Sequence, residues 1–151
     1  MPGHVCPRDT ARAMSQENVE RAWEAYGALG IAAQKGDLDA FFREYVHPEI
    51  EWVPLEGAPD IAVSRGHEAV KGRMMAMLDI MDEPQIEAEE IIDAGESVVV
   101  VTFRMSGRGR GSGMDVEASM CHVVTERDNK AVRIEWHGSR AEALEAAGLS
   151  E

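Results

Sequence analysis

Basic residues are in short supply. The chain carries 15 Lys and Arg against 28 Asp and Glu, a formal net charge of −13, and nucleic-acid or lipid phosphates are repelled by such a field. Neither nucleic acid nor an anionic membrane surface is expected as a partner. Cysteine is scarcer: Cys6 lies in a polar, proline-containing stretch and Cys121 in a strand-like run, which gives no disulfide framework. No apolar run reaches the roughly 18 residues that a membrane helix needs. The opening "MPGHVCPRDTARAM" lacks the continuous apolar segment of a secretory signal, so the expected location is the cytoplasm. The histidines lack metal-ligand spacing and no nucleophile motif occurs, so no metal and no cofactor are expected. "GRGRGSG" is glycine-dense but joins two strands, and is read as a flexible hairpin, not a dinucleotide loop.

What remains describes an ordinary globular domain of 151 residues, 44 % hydrophobic and 28 % charged. Helices come first. Ser15 suits an N-cap, and Val19, Ala22, Trp23, Tyr26, Leu29 and Ala33 follow helical spacing. Gly27 and Gly30 weaken that helix, so either something approaches its backbone closely or tertiary packing carries it. Gly36 ends it, and Asp37 starts a second helix with Leu38, Phe41, Phe42 and Tyr45 on one side, stopped at His47-Pro48. "EIEWVP" alternates like a strand, and a loop with Gly57, Pro59 and Asp60 follows. A third helix from about Gly66 carries Val70, Met74, Met77, Leu78 and Met81 as its apolar stripe. From Pro84 on, "QIEAEEIID", "SVVVVTFRMS", "MDVEASMCHVVTE" and "AVRIEWH" read as antiparallel strands, and "RAEALEAAG" as a closing helix. Residues 1–13 read as a flexible tail and 14–151 as the domain; Met1 and Met14 both suit a natural start. The layout is α+β, three N-terminal helices packed on a strongly curved antiparallel sheet, with a conical hollow between them.

The stretches "GDLDAFFREYVHPEIEWVP", "SRGHEAVKG", "IIDAGESVVVVTFRMSGRGRGSG" and "HVVTERDNKAVRIEWHGSRAEALEAAGL" resemble the SnoaL-like, polyketide cyclase-like branch of the NTF2-like superfamily, over about residues 15 to 149. The resemblance implies a cone-shaped NTF2-like (cystatin-like) barrel whose outer sheet face forms a homodimer. It implies either a ligand-binding module or a cofactor-independent isomerase, cyclase or dehydratase. In ketosteroid isomerase the general-base aspartate falls at Val53 of this chain, the oxyanion-hole aspartate at Cys121 and the oxyanion-hole tyrosine near Leu29. Val53 and Leu29 supply neither a base nor a donor, so steroid isomerase chemistry is not expected. The acid/base aspartate of polyketide cyclases falls at Ser139, a second departure.

Strand parity selects the site residues. Asp128-Asn129 suits a two-residue type I′ turn, which pairs Cys121 with Trp136, Val123 with Ile134 and His122 with Glu135. The more apolar face, with Ser119, Cys121, Val123, Val132, Ile134 and Trp136, is then the one turned to the hollow. The expected lining is Tyr26, Tyr45, Trp52, Met77, Val101, Phe103, Ser119, Cys121 and Trp136, with Glu117 as the candidate catalytic acid/base. Arg104, His122, Arg133, Glu135 and His137 fall on the outer face, as the expected dimer interface. A small hydrophobic molecule is the expected ligand.

Overall fold

The computed structural model describes residues 7–55 and 62–149, with residues 7–15 described by backbone alone. The elements run α1 (Pro7–Lys35), α2 (Asp39–Tyr45), β1 (Val46–Val53), β2 (Ser64–Arg65), α3 (His67–Leu78), β3 (Met81–Asp93), β4 (Val98–Gly109), β5 (Asp115–Arg127), β6 (Lys130–His137) and α4 (Arg140–Ala146). The α+β layout is the expected one, with three helices ahead of the long strands and a fourth at the end. Among the described residues no helix is long and apolar enough to cross a membrane.

Several boundaries differ. Helix α1 begins at Pro7, ahead of the expected cap at Ser15; proline suits a first helical position because its missing N–H has no partner there anyway. Of the segment expected as a tail, residues 1–6 lie outside the described residues and 7–13 are helical. The expected loop at Gly57, Pro59 and Asp60 also lies outside them. Met81, expected on the third helix, opens β3 instead, and that strand absorbs Pro84 beside a register shift and a positive φ of 53° at Glu83.

The six strands form one sheet in the order β2-β1-β6-β5-β4-β3. It is antiparallel except at one join, where β1 runs parallel to β6. That join corrects the expectation of a wholly antiparallel sheet. A parallel neighbour needs a long crossover, and everything from β2 to β5 supplies it.

Each face of the sheet buries its own apolar layer. On the inner face α1, α2 and α3 cover Ile50, Trp52, Val99, Val101, Phe103, Val124 and Trp136. Helix α3 contributes Val70, Met74 and Leu78, at helical spacing. Helix α1 contributes Ala22, Tyr26, Leu29, Ala32 and Ala33, whereas Trp23 is turned outward, 44 % exposed. On the outer face the short α4 lays Ala143 and Leu144 over Val100, Cys121 and Val123. Ser139 caps α4, its hydroxyl accepting from the Glu142 amide at 3.2 Å.

The two glycines of α1 have different reasons to be there. A Cβ at Gly30 would stand 2.8 Å from the Ile86 carbonyl oxygen of β3, whereas a Cβ at Gly27 meets nothing within 4 Å. Gly27→Ala should therefore stabilise the protein by up to about 1 kcal/mol, the helix-propensity difference. Gly30→Ala should destabilise it by about 1–3 kcal/mol, because a backbone carbonyl cannot swing aside and overpacking outweighs propensity. Urea unfolding of the two variants checks the opposite signs.

Candidate functional site

The β5–β6 hairpin decides what faces the hollow. Asp128 and Asn129 have φ of 55° and 64°, as a type I′ turn requires, and Arg127 pairs with Lys130 and Glu126 with Ala131 in the expected register. Thr125 then pairs with Arg133, so Val132 is an extra residue on β6. Beyond this bulge the pairs are Val124–Ile134, Val123–Glu135, His122–Trp136 and Cys121–His137. A slip of one residue exchanges the faces of one strand relative to its neighbour. Ile134 and Trp136 stay inside, while β5 now turns His122 and Val124 inward and Ser119, Cys121 and Val123 outward. The pairing of β4 agrees, since Val99, Val101 and Phe103 oppose Val124, His122 and Met120.

The hollow is lined by Ala22, Tyr26 and Leu29 of α1, Phe42 and Tyr45 of α2, Trp52 of β1, Val70 and Met74 of α3, and Val99, His122, Val124, Ile134 and Trp136 of the sheet. Arg21, Glu126 and Asn129 are also in the lining, with Ala25, Phe41, Val46 and Ala131. The cavity between these walls measures about 60 Å³ and is partly open to solvent. Tyr26, Tyr45, Trp52 and Trp136 stand on the hollow. Val101 and Phe103 are buried in the same apolar layer without lining it, and Met77 packs at its flank while Met74, one turn earlier, reaches in. Ser119 and Cys121 are on the opposite face, where the Cys121 Sγ lies 3.5 Å from the Thr102 hydroxyl.

Two corrections change the chemistry of the site. Glu117 is an exposed residue on the outer face, its carboxylate 3.6 Å from the Arg104 guanidinium, and it has no access to the hollow. His122 is not an interface residue; it is 6 % exposed and stands among Tyr26, Phe103 and Trp136. Three of the remaining outer-face residues, Arg104, Arg133 and Glu135, have partners within the chain. Arg104 pairs with Glu87 at 3.2 Å, and Arg133 reaches Glu135 at 3.6 Å and Glu51 at 4.0 Å. His137, next to Cys121 on the neighbouring strand, keeps a buried Nε2 without a hydrogen-bond partner.

The Tyr26 hydroxyl and His122 Nδ1 are 2.5 Å apart, both buried. Burial raises the tyrosine pKa far above its ordinary value, so the hydroxyl keeps its proton. Burial, with a smaller contribution from His137, pushes the imidazole down to about 3, so His122 is neutral at physiological pH. Relative donor strength assigns the tautomer. Either arrangement leaves one donor unpaired, but a phenol O–H is a stronger donor than a neutral imidazole N–H and an imidazole nitrogen a stronger acceptor than a phenol oxygen, so Tyr26 donates to Nδ1. The proton therefore sits on Nε2. That N–H and the indole N–H of Trp136 are both buried without a hydrogen-bond partner.

One charged pair lines the same hollow. Arg21 of α1 and Glu126 of β5 are 3.3 Å apart, with the Glu126 side chain 9 % exposed. Desolvation raises the Glu126 pKa, and Arg21 opposes that shift without cancelling it. Parity read from the turn alone misses both Glu126 and His122. Among the described residues no three His, Cys, Asp or Glu side chains converge to hold a metal ion.

Comparison with known proteins agrees with this architecture. The profile of the SnoaL-like domain matches residues 19–134. TerC, crystallised with polyporic acid, superposes with a TM-score of 0.63 at 22 % identity, covering 87 % of this chain and 98 % of its own. A putative SnoaL-like polyketide cyclase from Jannaschia sp. CCS1 gives 0.63 at 20 % identity, covering 88 % of each chain. A putative isomerase from Bacillus subtilis gives 0.67 at 16 % identity, covering 87 % and 94 %. At these identities the likeness is one of fold. None of the curated proteins compared with the chain matches it.

Proposed function

The chain belongs to the SnoaL-like domain family, and on that premise we propose that it is a receptor for a small, apolar, ring-containing molecule held over Trp52, Trp136 and His122. The observation that carries the reading is a hollow walled by aliphatic and aromatic side chains with two buried N–H groups left over. An unpartnered buried donor costs about 1–3 kcal/mol, and a ligand that accepts from it recovers that cost. Tryptophan offers a large flat area together with one donor, which suits a ring with a polar substituent. A neighbour in fold, TerC, is known with polyporic acid.

A thermal-shift screen of ring compounds, with mass spectrometry of co-purified small molecules, tests this reading. Trp136→Ala should weaken a hit by about tenfold or more, as expected for the loss of a central aromatic contact. Glu135→Ala, on the outer face, should leave binding unchanged. A screen without hits on well-folded protein would sink the proposal. We also propose that a second copy of the chain packs on the outer sheet face, by Arg104, Arg133 and Glu135; sedimentation showing only monomer at micromolar concentration would remove it.

The Tyr26–His122 contact favours a second reading, a cofactor-independent isomerase, cyclase or dehydratase. Here Glu126, its carboxyl raised by burial, is the proton acceptor at one end of a conjugated ring substrate, and the His122 N–H stabilises charge delocalised to the other end. Loss of turnover in Glu126→Gln with binding retained would decide for it. Turnover untouched by that change would decide against.

A further inference from the structure

Helix α1 leaves one apolar strip uncovered. Trp23, Gly27 and Ile31 recur at every fourth residue and so share a face. Trp23 is 44 % exposed and Ile31 58 %. With Ile86 and Ala88 of the edge strand β3 they line a groove of about 440 Å³, open to solvent. Gly30 is accounted for by the Ile86 carbonyl, but nothing inside the fold accounts for Gly27. Its missing side chain leaves a gap between two large exposed residues, at a position where helix propensity alone favours alanine.

The rim of the groove is acidic. Glu20 and Glu24 precede Trp23 and Gly27 by three residues, which sets both beside the strip. Both are exposed, and among the described residues no cation pairs with either. Glu87 lines the opposite wall, its charge shared with Arg104. The basic residues of this stretch are elsewhere: Arg21 is engaged with Glu126, and Lys35 lies one turn past Ile31. Two copies of the chain meeting here about a two-fold axis would set these carboxylates against their own kind, so the charge selects against a second copy.

We propose that the groove between α1 and β3 is a docking site for a basic amphipathic helix of another protein. One apolar side chain of that helix fills the gap at Gly27, between Trp23 and Ile31, as ridges of one helix fill grooves of another. Its Lys or Arg residues pair with Glu20 and Glu24, which stand one turn apart, about 6 Å, and so match basic residues at the same spacing. Trp23 supplies the large flat contact that anchors such an interface. A glycine that weakens its helix is kept where a function needs the space. The site is separate from the hollow, and the proposal does not depend on what the hollow binds.

Fluorescence anisotropy at physiological salt tests the site with a labelled amphipathic helical peptide of leucine and lysine alone and its leucine–glutamate counterpart. The lysine peptide should bind about tenfold or more tighter than the glutamate one. Gly27→Leu fills the gap and should weaken the lysine peptide by about tenfold or more. Trp23→Ala should do the same, and carries the test if Gly27→Leu does not fold. The double change Glu20→Lys, Glu24→Lys should also weaken it by about tenfold. Glu68→Lys with Asp115→Lys makes the same change in net charge away from the groove and should cost less than about threefold, because salt screens distant charges. Equal losses in the two double variants would show general attraction to an acidic protein and overturn the proposal. So would no binding of the lysine peptide to the parent at about 100 μM. A dimer in sedimentation that Trp23→Ala dissociates would make a second copy the occupant and overturn it as well.

Discussion

Acid should weaken this protein from about pH 6.5 downward, and His122 should be the cause. Its imidazole is held near 3 in the fold against an ordinary value of 6.5, chiefly by burial. Between those values the unfolded chain binds a proton that the native state refuses, so stability rises with pH across the window and falls on acidification. The contribution is complete above about 6.5 and is lost progressively toward 3, with a slope of up to about 1.4 kcal/mol per pH unit. Between pH 6.5 and 5.0 the loss should reach about 2 kcal/mol. His122→Phe removes the group and fills its volume with an apolar ring. Urea midpoints of the two proteins should fall with visibly different slopes over that interval, the variant's being shallower by this amount. The carboxylates titrate alike in both proteins and cancel in the difference. Parallel pH profiles would show that His122 is solvated.

Phe103→Ala should be the most damaging single truncation on the sheet. The side chain is 2 % exposed and stands beside Tyr26 at 6.0 Å, His122 at 4.3 Å and Trp136 at 5.6 Å, measured between ring centroids. Removing it leaves a cavity behind the residues that shape the hollow, and such truncations cost about 3–5 kcal/mol. For a domain of this size that lowers the melting temperature by roughly 10 °C. Since the hole opens behind His122 and Trp136, ligand affinity should fall with stability. Glu117→Ala is the contrasting change. Its exposed ion pair with Arg104 contributes about 0–1 kcal/mol, so stability should move by less than about 1 kcal/mol and binding not at all. A Phe103→Ala protein as stable as the parent would mean that these rings do not form the layer described.

The elements were legible in the sequence because their periodicity is enforced by burial. The Val70, Met74 and Leu78 stripe, the alternation of Val99, Val101 and Phe103, and the positive-φ pair Asp128-Asn129 each signal local structure that tertiary packing leaves intact. The site was half legible. Tyr26, Tyr45, Trp52 and Trp136 could be placed on the hollow from one strand or helix at a time. His122 and Glu126 could not, for two physical reasons. The bulge at Val132 shifts the hairpin by one residue, and no glycine or proline marks it. Apolarity could not arbitrate either, because α4 buries Cys121 and Val123 on the outer face while Val124 is buried on the inner one. Where both faces of a strand are covered, hydrophobic alternation carries no sign. The parallel join of β1 to β6 was hidden differently: it depends on a contact between strands far apart in the chain.

Long-range proton–nitrogen NMR of the histidine rings tests most directly that a neutral, Nε2-protonated His122 stands in the hollow with Tyr26 on its other nitrogen. One of the five histidines should show the neutral Nε2–H pattern from pH 8 down to about 4, without a titration step near 6.5. That signal should vanish in His122→Phe, and in Tyr26→Phe it should lose its fixed tautomer. An ordinary titration of His122 with a midpoint near 6.5, or an Nδ1-protonated ring at neutral pH, would contradict the site.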